Sequence, residues 1–146
     1  MAATANLYGL MIGKAFNKEI DLDSDTIKVA LLTSAYTPAQ DTDAYWSDVS
    51  SHEASGTGYT AGGATLASKT VAYDAASNTF TFDAADTVWS DSTVTARYAV
   101  IYDAQTGTPA SEPLLAFVDF GADQSSSAGT FTITWNASGI FTLTVD

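Results

Sequence analysis

At 146 residues the chain fits one domain, long enough to bury a substantial core and short for two lobes. It is 46% hydrophobic and 15% charged, with polarity drawn from Thr, Ser, Asp and Asn, a profile too apolar for disorder. Five basic against seventeen acidic residues leave a formal charge of −12, which opposes attraction to a phosphate backbone and so argues against nucleic-acid binding. The same charge suits a basic protein partner or serves solubility. Without cysteine the fold needs neither disulfide nor thiolate.

The N-terminus lacks a basic segment followed by an apolar run, and no stretch reaches the ~18 apolar residues of a membrane span. A soluble chain made without classical secretion, and with no membrane partner, is expected. Residues Ala3 to Ile20 are the best helix candidate. Leu7, Leu10, Met11, Ala15 and Ile20 lie near one side, and Tyr8, Ile12 and Phe16 broaden it. Gly9 and Gly13 each weaken a helix by about 0.8–1 kcal/mol relative to Ala, so the segment needs packing. Residues 1–20 are thus a helical segment closing a core edge or a docking arm, and 21–146 a single β domain.

Asp21, Asp23 and Asp25 form an acidic turn. An EF-hand register starting there puts Thr26 where Gly is required and Leu32 where Glu is required, so no metal site is assigned. IKVALLT at 27–33 reads as a buried strand, and a long polar loop spans 34–63. Tyr36, Tyr45, Trp46, His52 and Tyr59 are scattered along that loop and could present rings at a binding surface, or pack as a satellite core beneath it. GTGYTAGG at 56–63 lacks the Lys-Ser/Thr ending of a phosphate loop.

TLASKTVAYD at 65–74 and NTFTF at 78–82 form a hairpin, with Phe80 and Phe82 on one face and Thr79 and Thr81 on the other. A short strand ending near Trp89 precedes TVTARYAVIYD at 93–103, which carries Arg97, the only arginine. Both faces of that strand are too apolar for free solvation, so Arg97 pairs with a carboxylate at a sheet margin or between subunits. LLAFVDF at 114–120, TFTITW at 130–135 and IFTLTV at 140–145 complete the series. FGADQSSSAG reads as a connector, and WNASG as the turn joining the terminal strands. Thr132, Thr134, Thr142 and Thr144 face solvent, while Phe131, Ile133, Trp135, Phe141, Leu143 and Val145 cover the core.

The expected fold is mainly β, a β-sandwich or jelly-roll-like barrel of about seven or eight strands with an N-terminal helix. Enzyme machinery is not evident. A single histidine excludes a multi-histidine metal site, and no nucleophile elbow accompanies it. No catalytic, cofactor or metal residue is therefore assigned.

The segments NKEIDLDSDTIKVALLTSAYTP at 17–38, SGTGYTAGGATLASKTVAYD at 55–74, VTARYAVIYD at 94–103 and LLAFVDFGADQSSSAGTFTITWNASGIFTLTV at 114–145 resemble small structural proteins of tailed bacteriophages and prophages. Some of these look like head decoration or cement proteins. The resemblance implies a non-enzymatic virion protein made in the host cytoplasm, placed on the outer capsid surface and stabilising the shell. It further implies the major capsid protein as partner, and a homo-oligomer, most often a trimer. The alternative is a tail, fibre or spike component whose aromatic loop touches a glycan or host surface. The resemblance carries over no contact residues; Leu7, Met11, Tyr36, Tyr45, Trp46, Tyr59 and Arg97 are the candidate interface read from the chain itself.

Overall fold

The computed structural model describes residues 2–146. Two strands and a helix open the chain: β1 (Asn6–Leu7), α1 (Met11–Phe16) and β2 (Ile27–Leu32). The 34–63 excursion holds α2 (Trp46–Val49) and a 3-10 turn at Ser50–His52. Then come β3 (Ala64–Thr65), β4 (Thr70–Asp74), β5 (Thr79–Asp83), β6 (Thr87–Ser92), β7 (Thr95–Asp103), β8 (Leu114–Ser125), β9 (Gly129–Ile133) and β10 (Phe141–Thr144). The fold is mainly β and sandwich-like. A five-stranded antiparallel sheet in the order β1-β8-β7-β2-β3 is joined by a three-stranded sheet, β10-β5-β4, and a two-stranded sheet, β6-β9.

Period-two alternation in the central strands explains the layering. Ile27, Val29 and Leu31 of β2, with Ala99 and Ile101 of β7, enter one core together with Phe82, Trp89, Phe131, Ile133 and Phe141 from the smaller sheets. The intervening Ala30, Leu32, Val100 and Tyr102 enter a second core with Tyr8, Tyr36, Trp46 and Val49. The five-stranded sheet is therefore covered on both faces, by sheets on one and by the long loop on the other. This is why IKVALL and YAVIY read as continuous apolar runs. Between Ile101↔Ala116 and Tyr102↔Leu114 the register shifts, so β8 carries Leu115 as an extra residue and Leu115 and Ala116 both reach the first core.

The expected helix over 3–20 is much shorter. Asn6 and Leu7 instead pair with Phe117 and Ala116 of β8, and Ala3 bridges Trp135. A ladder on an available sheet edge satisfies backbone groups that a helix interrupted by Gly9 and Gly13 would hold weakly. Buried Tyr8 and Met11 then anchor the segment, so residues 2–20 are built into the same body as the rest.

The expected hairpin forms over 70–83, with Val71↔Phe82 and Tyr73↔Phe80 in register, but Thr65, expected in its first strand, belongs to β3 and pairs with β2. FGADQS is not a simple connector, because β8 runs through it to Ser125. WNASG links strands of different sheets, since β9 pairs with β6 and β10 with β5. Thr132, Thr134, Thr142 and Thr144 are exposed and Phe131, Ile133, Trp135 and Phe141 buried, whereas Val145 is exposed rather than core.

Candidate interaction surface

The long loop is held from inside. Tyr8 and Tyr36 share a hydroxyl–hydroxyl bond of 2.7 Å, and the Tyr36 hydroxyl donates to Asp43 Oδ2 at 2.7 Å. Asp43 also accepts from the Ala39 amide. Burial is the main cause that pushes both phenols well above the ordinary tyrosine range. Trp46 stacks on Tyr102 with centroids 4.6 Å apart and planes within 6°, and Tyr36 meets Tyr98 edge-on at 5.5 Å.

A second network ties the glycine-rich stretch to β2. Tyr59 Oη accepts from the Leu31 amide and donates to Glu53 Oε1, which also accepts from the Gly62 amide. Gly63, at φ +75°, passes so close to β2 that a Cβ there would lie 2.0 Å from the Val29 carbonyl oxygen. The motif at 56–63 is thus a close backbone crossing that leads into β3.

These contacts redistribute the candidate interface residues. Met11, Tyr36 and Trp46 are not surface residues: they are buried at 2%, 3% and 5% exposure. Met11 packs into the first core, whereas Tyr36 and Trp46 lie in the second core, where the loop supplies apolar cover to the other face of the β2–β7–β8 sheet. Leu7, Tyr45, Tyr59 and Arg97 are half-buried. Tyr45 lies under the Lys14 ammonium, 3.5 Å from the ring centroid, and donates to Glu19, which pairs with Lys14. Arg97 makes a two-pronged pair with Asp119, Nε to Oδ1 at 2.7 Å and Nη2 to Oδ2 at 3.3 Å. That pair lies within one chain, at the margin where β8 departs from regular pairing with β7. The seven residues do not form one patch.

The exposed apolar groups lie elsewhere. Phe16, at the end of α1, is 85% exposed, and Leu10 and Ile12 project from the same short segment. Strand β4 is exposed along its whole length and has a free edge, with Val71 and Tyr73 on the face that continues Phe80 and Phe82 beyond the core. Phe16 was legible as an apolar helix residue; its exposure was not, because that depends on the helix ending at Asn17. A groove of about 490 Å³ opens between the outer half of β8, β9 and residues 2–4, with Phe120 and Phe131 in its lining.

In the acidic turn, Asp21 Oδ1 accepts the Asp23 and Ser24 amides and Asp25 Oδ2 accepts the Asp21 amide, an arrangement of capping bonds. Asp25 also faces Asp103, whose carboxyl is buried; Oδ1 accepts from the Gln105 amide and Oδ2 is unpartnered. Burial, and then the neighbouring Asp25 carboxylate, pushes Asp103 up to about 6. Among the described residues, no group of three or more His, Cys, Asp or Glu could hold a metal ion, and no helix is long and apolar enough to cross a membrane. No family model matches the chain, nor does any curated protein or solved structure.

Proposed function

We propose that the protein is a non-enzymatic virion structural protein, one that binds the outside of a phage capsid as a decoration protein and stabilises the shell. The observation that carries this reading is where the polar chemistry and the exposed apolar surface fall. The buried hydroxyls of Tyr8, Tyr36 and Tyr59 are committed to holding the loop on the sheet. Phe16, Leu10 and Ile12 meanwhile offer apolar area that the single chain does not use. The resemblance of nearly the whole sequence to small phage structural proteins supplies the biological setting.

Attachment then rests on apolar anchors, with the −12 charge contributing orientation toward basic shell regions, because exposed ion pairs are worth only about 0–1 kcal/mol each. A homotrimer distributes weak contacts over several sites and raises effective affinity. The host-surface reading loses ground, since Tyr36 and Trp46, two of the rings it relied on, are inside the second core.

The test is cryo-electron microscopy of intact particles together with a Phe16→Ser variant. Regular density on the head, reduced by the variant at unchanged melting temperature, is the expected result. Density confined to the tail or a fibre would overturn the capsid assignment. Normal attachment of the variant would remove Phe16 as an anchor.

A further inference from the structure

Strand β4 leaves a whole edge of backbone unpaired. It stands at the margin of the β10-β5-β4 sheet, its ladder with β5 runs from Thr70↔Asp83 to Asp74↔Thr79 without a bulge, and all five of its residues are exposed. Among the described residues, no backbone group of 70–74 bonds outside that ladder. The devices that ordinarily keep such an edge from pairing are missing as well. The strand contains no proline and no lysine. Lys69, just before it, is turned away to the Asp23 and Asp25 carbonyls. Asp74, its only charge, accepts from the Ala76 amide and the Ser77 hydroxyl of its own turn.

The strand is also symmetric about its centre. In TVAYD, Ala72 is flanked by apolar Val71 and Tyr73 and then by polar Thr70 and Asp74. We infer that this edge is a contact between two copies of the chain, paired antiparallel across a two-fold axis at Ala72. Directly opposed residues share a face, so Val71 meets Tyr73 of the second copy, twice, and Asp74 meets Thr70 in place of another carboxylate. A parallel pair in register sets Asp74 against Asp74 and loses both mixed apolar pairs. Val71 also lines a groove of about 580 Å³, with Ala15, Ile20 and Leu22 as its other apolar walls, so the second copy brings its exposed Tyr73 ring beside that lining.

The opposite edge of the same sheet suits β4 less well. Strands β10 and β4 are both antiparallel to β5, so a β4–β10 contact that keeps the apolar faces on one side is parallel, and it is open-ended where the two-fold contact closes. An edge of five residues buries less than the ~1,200 Å² of a standard interface, so the contact is weak between free copies and gains where copies are held close together. The −12 charge of each copy opposes it at a distance, so salt strengthens it. Closing at two copies, it is separate from the proposed trimer contact, and it stands on strand geometry whether the protein sits on a head, a tail or elsewhere.

The chain has no cysteine, so single cysteines report on the axis. Two copies of Ala72→Cys oppose each other with Cα atoms about 4.5–5.5 Å apart, inside the range a disulfide spans, whereas two copies of Val71→Cys lie about 8 Å apart, outside it. Under mild oxidation at about 1 mM protein and about 0.5 M salt, A72C is expected to form a linked dimer at least about tenfold faster than V71C, or than Ala110→Cys at an exposed turn. Mixing V71C with Tyr73→Cys should give the heterodimer. In the parent, amides of 70–74 should exchange more slowly as concentration rises, and Ala72→Lys, which sets like charges on the axis, should abolish that protection at unchanged melting temperature. Crosslinking of A72C no faster than Ala110→Cys overturns the inference. So does equal self-linking of V71C, Y73C and A72C, the signature of parallel pairing. Concentration-dependent protection confined to β9 or β10 would put the contact between copies elsewhere and overturn it too.

Discussion

Replacing Asp103 by Asn should stabilise the protein at neutral pH. The side chain is 1% exposed; one oxygen accepts the Gln105 amide and the other faces Asp25 without a donor. With its carboxyl pushed from 3.8 up to about 6, the folded state binds more protons than the unfolded state between those values. Stability from this group is therefore greatest below about pH 4, falls as pH rises through 4–6, and remains lost above. A shift of about two units at 1.36 kcal/mol each corresponds to ~2–3 kcal/mol. Asparagine cannot ionise, keeps an oxygen for Gln105 and turns an amide N–H toward Asp25, so it imitates the protonated acid at every pH. Urea unfolding monitored by tryptophan fluorescence should find D103N equal to the parent near pH 4 and more stable by ~2–3 kcal/mol near pH 8. Asp21, Asp74 and Asp119 are shifted the other way, chiefly by the Ser24 hydroxyl, the Ala76 amide and the Arg97 guanidinium respectively; these are common to both proteins and cancel. Parallel pH curves, or a variant weaker than the parent at pH 8, would refute the reasoning and make the ionised carboxylate the native form.

Tyr36→Phe should cost about 1–3 kcal/mol in the same assay, and more than Tyr8→Phe, because only Tyr36 both bonds Tyr8 and donates to Asp43; equal losses would mean that the relay is not directional. Gly63→Ala should cost about 3 kcal/mol or more, its Cβ lying 2.0 Å from the Val29 oxygen, while Gly107→Ala, at φ +68° in open space, should cost only ~1 kcal/mol. Similar melting temperatures for the two glycine variants would show that backbone conformation, not the close crossing onto β2, sets the requirement.

Local pattern was enough for the β class, the 70–83 hairpin and the inward and outward faces of the last two strands, because side chains alternate along a strand wherever it is placed. Pairing partners were not legible. Strands β9 and β10 look like a terminal hairpin in sequence, but adjacency along the chain does not choose a sheet, and they found their partners about forty and about sixty residues away respectively.

Tertiary structure likewise decided the fate of Tyr36 and Trp46. An aromatic ring in a polar loop is equally suited to a ligand or to a core, and only the second apolar face of the β2–β7–β8 sheet, left bare without the loop, drew these side chains inside. The helix was cut to six residues for the same kind of reason: the free edge of β8 beside Ala116 and Phe117 offered Asn6 and Leu7 a ladder that local propensity could not anticipate. Sequence therefore determined most strand segments and which side of each is apolar, but not β1 or the outer part of β8, which were expected as helix and connector. The tertiary structure determined which edges are paired, and so which apolar side chains and which backbone groups remain for another molecule.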